Sequence, residues 1–335
     1  MPRALLAGPL LACCLAAVPA AAPPALPKDT LPERLPLDTI PLGLPAQRPV
    51  PRDNPLTEAK VRLGRRLFFD PLLSGDGSVS CASCHRPDHG FAGPQPRAVG
   101  AGGRRGLRNA PSLLNRAFGS TFFWDGRAAS LEEQALHPIE SPLEMGSTVA
   151  AAVKRLQAHK DYPAAFRAAF DDGVSAANLA RALASFERVL LAGDSRVDRF
   201  RAGRFAALSD GERQGLWLFE SRGRCWRCHS GQTFSDEGYH NTGVSWGAGP
   251  ADLGRHAVTR READRGRFKT PSLRGVAHTA PYMHDGSLAT LEEVVEHYNR
   301  GGNKNPQLDP LMQPLGLSKR DVADLVAFLK ALSGP

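Results

Sequence analysis

The chain is 335 residues long, enough for two modest domains, and its 42 Lys and Arg against 34 Asp and Glu give a formal charge of +8 at pH 7. That basic balance does not point to nucleic acid, because the chain opens with an export signal. Arg3 carries one charge, Ala4 to Ala17 form an apolar run, and small residues at Ala20 to Ala22 suit a signal peptidase.

Residues 1–22 are therefore expected to be a signal peptide and not a membrane span, and the mature protein is expected in the periplasm. A less favoured alternative is written into Leu10-Leu11-Ala12-Cys13, which approximates a lipoprotein box that would leave Cys13 as a lipid-carrying N-terminus. From 23 to 55 the chain is dense in Pro with little periodicity, which predicts an extended lead-in without a core of its own. The globular part begins near Leu56 and divides into residues 56–205 and 206–335.

Each half contains Cys-x-x-Cys-His: Cys81, Cys84 and His85 in the first, Cys225, Cys228 and His229 in the second. Two thiols at that spacing form thioethers to the vinyl groups of a haem, and the adjoining His supplies the proximal nitrogen to iron. A single copy would also suit a redox pair or half a zinc site; two copies argue against both. Of six Cys, Cys13 and Cys14 lie in the N-terminal apolar stretch and the other four in the motifs, so none is left for a disulfide in the mature chain. Two covalently bound haem c groups bring four propionates, which take the charge from +8 to about +4 and give part of the Arg excess a partner. Arg127 and Arg274 are candidates for that pairing, although an Arg after a turn is as often simply solvated. Aromatic content is only 7%, as expected where haem supplies apolar filling.

Apolar periodicity predicts helices over Glu58–Phe69, Leu179–Leu191, Gly211–Phe219 and Lys319–Leu332, and no convincing sheet. A shift of 160 residues lays Pro111-Ser112-Leu113 over Pro271-Ser272-Leu273, Asp125-Gly126 over Asp285-Gly286, and Leu131-Glu132-Glu133 over Leu291-Glu292-Glu293. In both copies a capping box, Ser130 with Glu133 and Thr290 with Glu293, opens a further helix. The fold class is thus mainly α, two related cytochrome c-like domains, each around one haem.

The repeat fails in two informative places. Tyr298 is matched by Pro138, and His284 by Trp124. A Tyr oxygen can ligate haem iron and a Pro cannot. If the second iron takes His229 and Tyr298 while the first takes only His85, one iron is closed and the other open. Met283, His297 and Met312 are the rivals of Tyr298. His137, His159, His240, His256 and His278 read as structural or surface residues, and Trp226 as packing on a haem edge. Taken singly, Glu144 suits a solvated helix end and Trp124 a packed core.

Both haem motifs, Phe123-Trp124-Asp125-Gly126-Arg127, Leu143-Glu144-Met145-Gly146 and Pro281-Tyr282-Met283-His284-Asp285-Gly286 follow one another in order. With them, the chain from Leu56 onward resembles the bacterial dihaem cytochrome c peroxidase and MauG family. The resemblance implies that His85 and His229 are proximal ligands, that Glu144 is the distal acid-base group at the first haem, and that Gln134 and Pro138 line its pocket. It places Trp124 between the haems as an electron relay. It also implies a structural calcium at the Asn109 side chain and the carbonyls of Thr279 and Pro281, hard oxygen ligands of the kind that ion takes. The residue fourteen after His284 is Met in the peroxidases and Tyr in the MauG branch; here it is Tyr298, on the MauG-like side.

Two departures qualify the resemblance. Many of the peroxidases carry a His in the loop after the first motif that blocks the iron until the partner haem is reduced, but Phe91 to Arg108 contains no His or Met. His89 is too close to His85 to swing across the ring, so an iron open without reductive activation is expected. The maturase has a Trp just before its second motif as an exit for holes, whereas here Gly223-Arg224 precede Cys225.

The function expected is a dihaem peroxidase that reduces hydrogen peroxide at the first haem, with Glu144 moving the proton between the two peroxide oxygens. Electrons would come through the second haem from a small periplasmic donor, a cytochrome c or a cupredoxin. The alternative is MauG-like oxidation of a side chain on a partner protein, favoured by Tyr298 because an anionic oxygen ligand stabilises high oxidation states more than a thioether does. A third reading is a plain dihaem electron carrier, which would need both irons six-coordinate; Pro138 and Glu144 speak against it.

Overall fold

The computed structural model describes residues 26–244, 246 and 252–334, so the signal peptide expected at 1–22, with Cys13, lies outside the described residues. Among the described residues the helices are α1 (Glu58–Phe69), α2 (Cys81–Cys84), α3 (Leu131–Glu140), α4 (Val149–Ala158), α5 (Tyr162–Ala169), α6 (Ala176–Arg188), α7 (Arg196–Arg201), α8 (Asp210–Glu220), α9 (His256–Thr259), α10 (Leu291–Asn299) and α11 (Lys319–Ala331). The sheet is one antiparallel pair, β1 (Tyr239–His240) with β2 (Phe268–Lys269), in which Tyr239 faces Lys269. None of the described helices is long and apolar enough to cross a membrane.

The expected helices form because their ends are capped. Ser130 Oγ accepts from Glu133 N–H at 3.0 Å and Thr290 Oγ1 from Glu293 N–H at 3.1 Å, each cap being worth about 1 kcal/mol. The two glutamates reach back to the amides of Ala129 and Ala289. Helices α4 and α5 escape apolar periodicity because Ala fills so many of their positions, and α5 carries Pro163 in its first turn.

Two apolar cores result. The first gathers Leu67 and Phe68 from α1, Ile139 from α3 and Leu183 and Phe186 from α6. The second gathers Leu218 and Phe219 from α8, Val295 from α10 and Leu325 and Phe328 from α11. A glycine permits the central helix crossing in each: a Cβ at Gly64 would strike the Ala182 carbonyl, and one at Gly215 the Asp324 carbonyl. The second core already includes Val197 on α7, ahead of the boundary expected at 206.

The described residues of the Pro-rich lead-in form no helix, yet they are bound to both halves. Leu31, Leu35 and Leu37 pack on the first core. Farther along, the Leu42 carbonyl accepts from Asp194 N–H at 2.8 Å and the Leu44 carbonyl from Gln232 Nε2 at 3.1 Å. Between them the Gly43 carbonyl accepts from Arg274 at 2.6 Å, and Gly43 has φ +86° with no room for a Cβ against Asp198.

Arg274 and Asp198 form a bidentate pair at 2.7 and 2.9 Å with side chains 1% and 2% exposed. Asp198→Ala is expected to cost about 3–5 kcal/mol, because it strands a buried guanidinium, as a denaturant midpoint would show. Burial raises the Asp198 carboxyl, but hydrogen bonds from Arg274 and Ser195 outweigh it and hold the group below the usual carboxylate range. Its contribution is therefore full at neutral pH and is lost as pH falls through that lowered value.

Candidate dihaem site

The two haem motifs are built alike. His85 N–H bonds the Cys81 carbonyl and His229 N–H the Cys225 carbonyl, both at 2.9 Å, which turns each imidazole back over its cysteines. His85 Nδ1 then meets the Phe91 carbonyl at 3.1 Å, and His229 Nδ1 the Phe234 carbonyl at 3.0 Å. A carbonyl can only accept, so Nδ1 carries the proton and Nε2 is left for iron. Burial lowers the pKa of both rings and keeps them neutral. The acceptors are presented by left-handed backbone at Phe91 (φ 54°) and Phe234 (φ 53°). The repeated Ser braces each loop, with Ser112 Oγ donating to the Gly90 carbonyl and Ser272 Oγ to the Thr233 carbonyl, both at 2.6 Å.

All four motif cysteines are free, and burial pushes Cys81, Cys84 and Cys225 up to about 12. Thiols held protonated in apolar cavities suit thioether formation better than thiolate ligation of a metal ion. The residues present fit two c-type haems.

Over His85 lies a cavity lined by Gln134, Pro138 and Glu144, with Trp124 and Arg127 at its side. Gln134 and Pro138 stand one turn apart on α3. The turn after α3 brings Glu144 back beside them, with Glu144 N–H on the Ser141 carbonyl and the Glu144 carbonyl accepting from Ala101 N–H at 2.7 Å. Burial raises the Glu144 pKa, with Arg127 opposing. Gln134 Oε1 is buried without a hydrogen-bond partner, an acceptor unspent in the cavity. From the loop after the first motif, Ala98, Gly106, Leu107 and Arg108 line this cavity, and none offers iron a ligand. His89 is turned away, its Nε2 on the Ala280 carbonyl.

The second cavity holds Cys225, Cys228 and His229 with Tyr298, Met283 and Met312. Tyr298 is half-buried on the cavity wall, and desolvation pushes its phenol well above the usual range. Its rival His297 does not line the cavity; His297 Nε2 bonds the Thr242 carbonyl at 2.9 Å.

Trp124 lines both cavities. Its Nε1 donates to the Asn109 carbonyl at 2.9 Å, and its ring meets that of His284 edge to face at 6.4 Å. The backbone around them is reciprocal across the repeat. Asn109 N–H donates to the His284 carbonyl at 2.7 Å, and Lys269 N–H to the Trp124 carbonyl at 2.8 Å.

Arg274 borders both cavities, and four of its five N–H donors go to Asp198, the Gln232 carbonyl and the Gly43 carbonyl, so it ties α7 and the lead-in to the second half and keeps one donor for a propionate. Arg127 pairs with Asp125 at 3.0 Å and lies over the Phe123 ring while facing the first cavity. Asn109, Thr279 and Pro281 come together on the wall of the second cavity. Asn109 Nδ2 donates to the Gln95 carbonyl at 3.0 Å, which directs Oδ1 the other way as an acceptor.

Several residues of the site went unread in the sequence. Glu187 lines the first cavity from α6, where burial pushes it up to about 8 and leaves Oε2 without a partner. His240, expected to be structural or at the surface, lines the second cavity between Asp309 at 2.7 Å and Asp236 at 2.9 Å, and those hydrogen bonds push it up to about 11. Lys269 borders both cavities; its one sequence signal was its place 160 residues after Asn109.

The di-haem cytochrome c peroxidase family matches residues 58–206. The methylamine utilization protein MauG of Methylorubrum extorquens is 44% identical over 292 residues, covering 86% of this chain and 82% of that protein. Cytochrome c551 peroxidase of Nitrosomonas europaea is 37% identical over 289 residues, covering 85% and 83%. A crystal structure of a MauG-like protein associated with microbial copper homeostasis is similar at a TM-score of 0.80 and 35% identity, over 91% of this chain and 96% of that one.

Proposed function

The chain belongs to the di-haem cytochrome c peroxidase and MauG family, and from that premise we propose that it is a periplasmic enzyme that reduces hydrogen peroxide at its N-terminal haem. Electrons reach that site through the C-terminal haem from a small cytochrome c or cupredoxin. Family membership implies the two c-type haems, which when bound supply the iron centres that reduce peroxide and pass electrons on.

The observation that carries the reading is the contrast between the cavities. Beside His85 the facing groups are a half-buried carboxyl and an unspent amide oxygen, with Pro138 at the repeat position of Tyr298. The Glu144 carboxylate would take a proton from one peroxide oxygen and return it to the other, while Gln134 Oε1 accepts a hydrogen bond from the peroxide O–H and orients it. Two electrons and two protons convert one peroxide to two waters. Arg127 supports the ionised form of Glu144, and the apolar walls keep bulk water from competing for the proton. Trp124, shared by both walls, is the electron relay. Asn109 Oδ1 with the Thr279 and Pro281 carbonyls would hold a calcium ion, which takes hard oxygen ligands of this kind.

A second reading, oxidative maturation of a partner protein side chain, is favoured by Tyr298 inside the second cavity. Electron paramagnetic resonance on the as-isolated ferric protein tests the common ground of both. One high-spin and one low-spin signal are expected, both lost on adding stoichiometric peroxide without reductant. Two low-spin signals untouched by peroxide would place the chain among electron carriers or among peroxidases that need reduction first.

A further inference from the structure

Two basic side chains border both haem cavities, Arg274 and Lys269, and Arg274 already gives four donors to Asp198, Gln232 and Gly43. Lys269 is 7% exposed. Its Nζ lies 2.8 Å from Glu237 Oε2 as an ion pair but makes no hydrogen bond of good geometry. Glu237 is itself occupied by both terminal nitrogens of Arg116 and by Ser120 N–H. An ammonium has three donors; Glu237 faces one of them, and the others are costly to bury unless a further anion meets them.

The other cations of the first cavity are engaged: Arg108 with Asp252 and Asp125, Arg116 with Glu237, Arg127 with Asp125. From this we propose that Lys269 is an electrostatic anchor set between the two haems, its ammonium pairing with a propionate carboxylate and raising the reduction potential of the haem that bears it. The inference rests on the two-haem reading.

Burial, with Arg116 nearby and Glu237 opposing, pushes Lys269 down to about 8, which still leaves it largely charged at neutral pH. Its position is fixed from two sides, by its bond to the Trp124 carbonyl and by its pairing with Tyr239 across the β1–β2 ladder. Its charge therefore sits beside the proposed electron path.

The test is a spectropotentiometric titration of the haem-loaded full chain, of Lys269→Gln and of Lys269→Arg. Removing a cation favours the ferric state. Lys269→Gln is expected to lower the midpoint of at least one haem by about tenfold in its reduction equilibrium, 59 mV for one electron, with Lys269→Arg restoring it. Unchanged midpoints in Lys269→Gln with both haems bound would overturn the proposal. Should Lys269→Gln fail to take up haem, Lys269→Arg decides: uptake with wild-type potentials supports a requirement for charge, and failure of the Arg variant also rejects it. A wild-type chain without two covalent haems would instead bring down the two-haem reading, and this inference with it.

Discussion

Glu144→Gln is expected to lower peroxide turnover by about 100-fold or more, the scale for losing a general acid-base group, while leaving the haem spectra little changed. Glutamine keeps the shape and length of the side chain, and the turn that presents residue 144 is held by backbone bonds to Ser141 and Ala101, so the cavity should keep its form. What is lost is an oxygen able to take a proton and give it back. The raised pKa sets the pH dependence, because the reaction begins with Glu144 ionised; turnover should fall as pH drops through that raised value. Steady-state peroxide consumption with a chemical reductant measures both effects. Turnover equal to wild type would remove Glu144 from the mechanism.

Tyr298→Met should raise the midpoint potential of the C-terminal haem by more than about 59 mV, a tenfold change in its one-electron equilibrium, and alter its ferric spectrum. A thioether favours the ferrous state, whereas a phenolate oxygen favours the ferric and higher states. The side chain lines the cavity with Cys225, Cys228 and His229, so the exchange replaces one ligand candidate with another and leaves the helix α10 caps alone. Potentiometry and low-temperature spectra of the variant read the result. If both stay as in the wild type, Tyr298 is a wall residue, and the case for Met283 or Met312 reopens.

The parts of the molecule governed by short-range rules were legible in the sequence. Cys-x-x-Cys-His, the capping boxes and the 160-residue register are local or strictly periodic, and the helices they imply form at or within a few residues of the expected bounds. Gln134, Pro138 and Glu144 converge because a helix face and one turn suffice to bring them together. The bonds of Arg274 were not legible because they run to Asp198 and Gly43, 76 and 231 residues away, and no local pattern announces such a pairing. For the same reason the lead-in looked loose, although its backbone carbonyls bind both halves. Lys269 and Glu187 were passed over because burial of a charged side chain is a property of the assembled cavity, not of its neighbours in sequence.

The reciprocal bonds at the contact between the halves have a consequence for the design of the whole chain. Asn109 reaches His284 as Lys269 reaches Trp124, and each pair maps onto the other under the 160-residue shift. In that arrangement residue i of one unit meets j of the other while j meets i, which is the isologous signature of a twofold dimer, here joined into one chain. A single repeat could make these bonds with its own copy. Covalent linkage lets the two sides diverge around a fixed axis: Trp against His, Asn against Lys, Pro against Tyr. Division of labour between identical subunits would have been impossible; within one polypeptide it needs only a few side chains.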